Sequence, residues 1–218
     1  MKSRTHPPRI DALRAVTRID GDAASVNADD DRELEFFEDT DLSGRDLTGI
    51  TLRECALDGV DLDDANLRGA RFIETTLSGV HAPVLRMSRS TMRDVVLERS
   101  RLGSAELFDT TWNGVRIRQC KLGYVNLRGS SLTDVVFEDC TIDELDLGGV
   151  TATRVAFPGT TAKALDVTRA TLKHVDLRGL DFSAVHGLEG LAGATVNEVQ
   201  VALLAQLFAA RLGIVVES

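Results

Sequence analysis

Every fifth residue from Phe37 to Phe182 is apolar, through 30 positions without a slip. Sixteen of them are Leu and five are Phe, and only Ala82, Ala152 and Ala162 are small. The residue two places earlier is nearly as restricted: 23 of the 30 are Ala, Val, Ser, Thr or Cys. An α-helix repeats every 3.6 residues and a strand every two, so neither keeps every fifth residue on one face. Five residues do fit one short extended side plus a corner. Four equal sides close a square coil of 20 residues, and stacked coils pair like parallel strands about 4.8 Å apart. Within a side, the large residue and the small one two before it point the same way, so both face inward. A fixed period held this long marks a repeat architecture, in which each unit buries its core only by stacking on its neighbours.

The units Ala65-Asn66-Leu67-Arg68-Gly69, Val60-Asp61-Leu62-Asp63-Asp64, Val125-Asn126-Leu127-Arg128-Gly129, Leu145-Asp146-Leu147-Gly148-Gly149 and Val175-Asp176-Leu177-Arg178-Gly179 resemble the pentapeptide-repeat family, whose consensus is Ala-Asp/Asn-Leu-X-X. The resemblance covers about two-thirds of the chain. It implies an all-β repeat solenoid, a right-handed quadrilateral parallel β-helix with four units per coil. At that count the rod has about 7.5 coils and a length of roughly 35 Å. Outward positions such as Arg128 are expected to tolerate substitution, whereas an inward one such as Leu127 is not.

Three segments follow from the frame. Residues 1–34 lie outside it and read as an N-terminal arm and linker. Ile10, Leu13, Val16 and Ile19 recur at three-residue spacing there, as a short helix or as an extended arm laid along the rod. Docking onto the rod's N-terminal end is expected, with a partner-binding arm as the alternative, because an open stack exposes unpaired strand edges. Residues 35–184 are the β-helix. Residues 185–218 are a loop, a capping and dimerisation helix and a tail. Thr195 and Glu198 predict the helix's capping box, and Gly213 its end. Val199, Leu203, Leu207 and Ala210 form one apolar stripe, and Val201, Leu204, Phe208 and Leu212 a second. A helix apolar on two sides needs two buried surfaces. One is the last coil, and the second stripe is assigned to a homodimer interface, as in the fluoroquinolone-resistance members of the family. Ile214, Val215 and Val216 are candidates for a short strand beside it.

The sequence has no signal peptide and no run long enough to span a bilayer, so a cytoplasmic protein without membrane contact is expected. Cys55, Cys120 and Cys140 all occupy small inward positions, as core residues of a reducing compartment do. The four histidines lack ligand spacing, and no nucleophile or phosphate-loop motif is present. No catalytic residue, cofactor or metal is therefore expected. A net charge of −9 argues against direct nucleic-acid binding, which needs clustered Lys and Arg.

Charge is unevenly placed around the rod. The face holding Leu42, Leu62 and Ile142 carries seven acids against three bases, and the adjoining face of Phe37, Leu57 and Phe137 eight against four. Between them lies an acidic edge of Asp58, Asp61, Asp63, Asp64, Glu138, Asp139, Asp143 and Glu144. Two functions are consistent with this pattern. One is a non-catalytic scaffold that binds another protein through the rod surface. The other, which the family resemblance implies, is a dimeric DNA mimic that binds a type II topoisomerase such as DNA gyrase and protects or inhibits it.

Overall fold

The computed structural model describes residues 5–215. The five-residue frame is the fold. All of its inward positions are buried except Leu97, which is half-buried, and the small positions are buried from Ile50 onward apart from Ala170. Strand partners are parallel and one coil apart through the body: Trp112 pairs with Met92 and Leu132, and Leu122 with Leu102 and Ile142.

The four sides are not equal. The Phe37 and Leu52 faces share one 13-stranded sheet. Their short strands, such as Thr51–Arg53 and Ala56–Asp58, merge in the middle coils into eight-residue strands, Thr91–Glu98, Thr111–Arg118 and Ser131–Glu138. The Leu42 face carries a second sheet of six strands, from His81–Arg86 to Leu180–His186. The Leu47 face is built of tight turns instead. At three of the four corners most coils turn through a left-handed residue two places after the inward one, whereas after the Leu42 face only Gly44 and Asp64 are left-handed. The turning residue is a glycine at Gly59 and Gly159, but Asp at 39, 94 and 139 and Arg at 99 and 154. Glycine is needed where an Asp lies one coil below: a Cβ on Gly159 would collide with Asp139 Oδ1.

The small inward residues do more than fill space. Ser100 Oγ donates to the Glu98 carbonyl at 2.8 Å. Thr160 Oγ1 donates to the carbonyl of Phe137, in the coil before, at 2.9 Å. The Cys140 thiol makes the same pair of contacts, to Glu138 at 3.3 Å and Ile117 at 3.6 Å. A hydroxyl or thiol at the bend thus satisfies carbonyls that the corner would otherwise strand in the core. The three small centres are compensated by neighbours. Ala82 and Ala162 are each followed three residues later by a buried leucine, Leu85 and Leu165. Ala152 lies between Leu132 and Leu172 in its own column, and on the adjoining face the rings of Phe137 and Phe157 stack at 5.2 Å.

The stack is longer than the frame predicts. Ile19–Asp20 pairs with Glu35–Phe36 at one end, and Ala194–Thr195 pairs with Val175–Asp176 at the other. Ten strands therefore lie along the longest path, making about nine turns and a rod of roughly 43 Å. Two departures from the small-residue rule serve the first turn. Arg45 donates to the Ala23 and Val26 carbonyls at 2.5 Å, and Glu35 pairs with Arg32 at 2.9 Å.

Residues 19–30 therefore cover the N-terminal end, and the arm before them does something else. It forms no helix. It runs along the corner between the Leu52 and Phe37 faces, from Thr5 beside Thr195 to Arg18, whose Nε donates to the Glu54 carbonyl at 2.7 Å.

The other end is closed by helix α1, Glu198–Arg211. Its N-cap is Asn197, in a capping box with Gln200, two residues beyond the expected Thr195. Thr195 is already used as a strand residue, and Asn is the stronger cap. Gln200 is buried, and its Nε2 donates to the carbonyls of Leu177 at 2.6 Å and Leu180 at 2.7 Å. Leu203, Leu204 and Leu207 complete the face that packs on the core. Gly213 ends the helix at φ +70°. Ile214 and Val215 are exposed and form no strand, and Val216 lies outside the described residues.

Candidate interaction surfaces

The acidic edge exists as a surface. Asp58, Asp64, Asp139, Asp143 and Glu144 are exposed or nearly so, and Asp61, Asp63 and Glu138 are half-buried. They sit as two clusters four coils apart, about 19 Å along the rod. Their local chemistry differs. Asp58 accepts a hydrogen bond from Ser78 at 2.7 Å. Asp61 and Asp63 accept backbone N–H groups, from Asp63 and Val84. Asp64 is paired with Arg86, and Asp143 with Lys163, each at 2.5 Å. Among the described residues the other six have no ion pair.

Elsewhere the rod neutralises several of its carboxylates within or between coils, while others, such as Asp46, Glu74 and Glu106, have no ion pair among the described residues. Glu98 is nearly buried and held by Arg99 and, one coil on, Arg118. Asp134 takes a bidentate pair from Arg154, both bonds 2.6 Å. That guanidinium, with the Arg9 backbone N–H, holds the Asp134 carboxyl below the usual range. Asp146 is 1 % exposed and accepts from Arg128 at 2.5 Å, Tyr124 at 3.1 Å and the Gly148 N–H at 2.9 Å. Arg128 is therefore not a free outward residue: it is the cation of a buried carboxylate. Part of this pairing is visible in the sequence, because Glu98 and Arg118, Asp134 and Arg154, and Asp143 and Lys163 each stand one full coil apart.

The thiols belong to the interior. A hydrogen bond with Cys140 and burial push the Cys120 thiol up, and burial does the same to Cys55. Among the described residues no group of His, Cys, Asp and Glu is arranged to hold a metal ion. Among them, too, no helix is long and apolar enough to cross a membrane.

On α1, Val201, Phe208 and Leu212 of the second stripe are exposed, together with Val199 from the first. Leu204, expected on that outer stripe, is 5 % exposed and packs on the core. Val201, Phe208 and Leu212 therefore share one exposed flank of the helix, Val199 stands on the opposite flank, and Ile214 and Val215 beyond the helix are exposed as well.

A parallel solenoid with a five-residue inward period, no large insertion and charged outer faces defines a repeat scaffold. The sequence model described as pentapeptide repeats matches in 8 copies, among them residues 37–73 and 46–81, and the chain belongs to that family. The solved structure of full-length QnrB1, a plasmid-mediated fluoroquinolone resistance protein, is 19 % identical, with 91 % of this chain and 95 % of that one covered at a TM-score of 0.35. HetL, a pentapeptide repeat protein involved in heterocyst differentiation regulation from the cyanobacterium Nostoc sp. strain PCC 7120, is also 19 % identical, with 81 % of this chain and 94 % of that one covered at a TM-score of 0.35. Neither superposition is close enough to carry a function across. No curated protein sequence matches.

Proposed function

We propose that this protein is a non-catalytic scaffold that binds another protein through the acidic edge of its rod. The observation that carries the reading is the gathering of unpaired carboxylates into two clusters on one edge. Some acids elsewhere on the rod, such as Glu98, Asp134 and Asp146, are matched by an arginine on their own or a neighbouring coil, and those unmatched among the described residues there, such as Asp46 and Glu106, are scattered. Asp58, Asp61, Asp63, Glu138, Asp139 and Glu144 have no ion-pair partner among the described residues. Unpaired, solvated carboxylates on a rigid surface attract a basic partner and set its register. The exposed flank of α1 supports a homodimer through Val201, Phe208 and Leu212, because a contiguous apolar face is unfavourable in water.

A second reading has one observation in its favour. Two adjacent faces carry most of the negative charge, as a duplex-like surface would, and a dimer would double its length. On this reading the partner is a type II topoisomerase such as DNA gyrase, and the protein protects or inhibits it. Duplex DNA presents one charge per ~1.7 Å of its axis. Two clusters about 19 Å apart along the stacked coils are a sparse imitation.

The test compares the wild type with a variant carrying Asp58→Asn, Asp61→Asn, Glu138→Gln and Glu144→Gln. For the scaffold reading, affinity capture from the native cell extract should recover a protein with the wild type and lose it with the variant; an identical set from both rejects the edge as the binding surface. For the mimic reading, gyrase should bind at low salt, release as salt rises, and change its supercoiling activity. Unchanged supercoiling and no binding at low salt reject it.

A further inference from the structure

The arm is the feature that neither reading uses. It follows one corner of the rod, where the left-handed column residues Leu34, Glu54, Glu74, Asp94, Gly114, Asp134, Arg154 and His174 succeed one another. Four contacts set its course. His6 meets the His174 ring edge-on at 4.4 Å, and the Arg9 N–H donates to Asp134 Oδ1 at 2.8 Å. The Arg18 guanidinium reaches the Glu54 carbonyl, and the Ile19 N–H donates to the Leu34 carbonyl at 2.9 Å.

From His6 to Arg9 the arm advances three residues while the column advances two coils. An extended threefold helix of the polyproline type rises about 3.1 Å per residue, so three residues span about 9.3 Å. Two coils span about 9.6 Å. This part of the arm is therefore taut and in step with the rod. From Arg9 to Ile19 ten more residues could span about 31 Å in the same conformation, but the five coils from Asp134 to Leu34 need only about 24 Å. This part carries surplus chain. Within it Ile10, Leu13 and Val16 are half-buried, and the residues between them are exposed.

The arm's fit is loose where the taut part gives way to the slack part and again within the slack part. Pro8 and Ile10 leave a cleft of about 240 Å³ against Val136 and Pro158, and Asp11 to Arg14 leave another of about 240 Å³ beside Glu74 and Asp94. Both clefts are open to solvent, so the arm leaves its corner partly uncovered there. In the second cleft the arm presents a carboxylate, Asp11, to two others. Asp94 is pushed up by burial, an effect that Arg93 opposes and that Glu74 and Asp11 reinforce. The cation lining this cleft is Arg14 on the arm, and Arg93 on the rod pairs with Asp94 at 3.9 Å.

We propose that this corner is a docking track for an extended, proline- and arginine-containing segment of a partner protein, and that residues 5–18 are a tethered occupant which such a segment displaces. The column supplies Glu74, Asp94 and Asp134 along the track. The Arg9 N–H and the Arg18 guanidinium of the arm already use it, and Asp11 marks the position where a basic residue would bind better. The inference does not depend on which protein meets the acidic edge.

The experiment uses a fluorescein-labelled peptide of residues 5–18 carrying Asp11→Arg. It is titrated by anisotropy against the full wild-type chain and a full chain with Ile10→Asp and Leu13→Asp, which lifts the arm without touching the core. Saturable one-to-one binding to the lifted-arm variant is expected. Binding to the wild type should be at least about tenfold weaker, because the tethered arm competes at a high effective concentration. Adding Glu74→Gln and Asp94→Asn to the lifted-arm variant should weaken it again. Absence of saturable binding to a lifted-arm chain with wild-type circular dichroism overturns the proposal. So does equal affinity for both chains, or indifference to the Glu74 and Asp94 changes. If the double variant misfolds, Arg9→Pro, which removes the N–H to Asp134, takes its place in the same titration.

Discussion

Gln200 holds the rod's last coil shut, and its removal has a calculable effect. Its Nε2 serves two carbonyls. Leu177 O keeps a second donor, the Leu180 N–H at 2.9 Å, so the loss there is that of an ordinary hydrogen bond, about 1 kcal/mol. The carbonyl of Leu180, a buried residue, would lose the donor on its open side, at about 1–3 kcal/mol. Gln200→Ala is therefore expected to weaken the cap by about 2–4 kcal/mol. A solenoid loses stability from its ends, where an element has one neighbour instead of two. The helical signal in circular dichroism should thus fall at lower urea than the fluorescence of Trp112, the single tryptophan, which sits in the middle of the rod. Coincident transitions with a loss under about 0.5 kcal/mol, the size of an ordinary surface change, would refute the reasoning. They would mean that Leu203, Leu204 and Leu207 hold the lid without it.

Leu127 is fully buried, so Leu127→Asp places a charge among apolar neighbours; soluble protein with a cooperative unfolding transition would contradict the frame. The Asp134 carboxyl is depressed by Arg154 first and by the Arg9 N–H as well, so its contribution is present above the ordinary carboxylate pKa of about 3.9 and is lost as pH falls through the lower folded value. The Arg9 amide should be protected from exchange at neutral pH and lose that protection only in the acid window, and Asp134→Asn should remove the pH dependence. An unprotected Arg9 amide at neutral pH in the wild type would show that the bond does not hold the arm. Phe208→Glu should turn a dimer into a folded monomer by light scattering at micromolar concentration, and a monomeric wild type would remove the dimer.

The frame is readable because volume is the one property a stacked coil cannot trade. Large residues at Phe37 through Phe182 have nowhere else to go, and Ser, Thr or Cys at the bend reveals carbonyls that need a donor. What stays hidden in the sequence are choices between equivalent surfaces. On α1 both stripes are apolar, so nothing in their composition distinguishes Leu204, which turns inward, from Val201, which does not. Thr195 caps well by type but is committed to pairing with Asp176. The three-residue spacing of Ile10, Leu13 and Val16 is ambiguous until the surface that receives it is known. The pairing of Arg128 with Asp146 falls short of a full coil, so a search along columns passes over it.

The two parts of the arm also limit where this protein can change in length. Repeat arrays grow and shrink by duplication or loss of whole units, and one added coil would leave the core intact anywhere in the rod. It would not leave the arm intact everywhere. Between Asp134 and His174 the arm has no slack, and one coil is about 4.8 Å, half of the arm's three-residue advance. A single duplication there would set His6 midway between two partners, and only a pair of coils, matched by three more residues of arm, would restore the contact. Between Leu34 and Asp134 the surplus of about 7 Å, the difference between arm and rod spans, would absorb one coil with no change in the arm. Heritable changes of length should therefore accumulate in the N-terminal half of the rod, and homologues that keep the arm should keep the spacing of its C-terminal half.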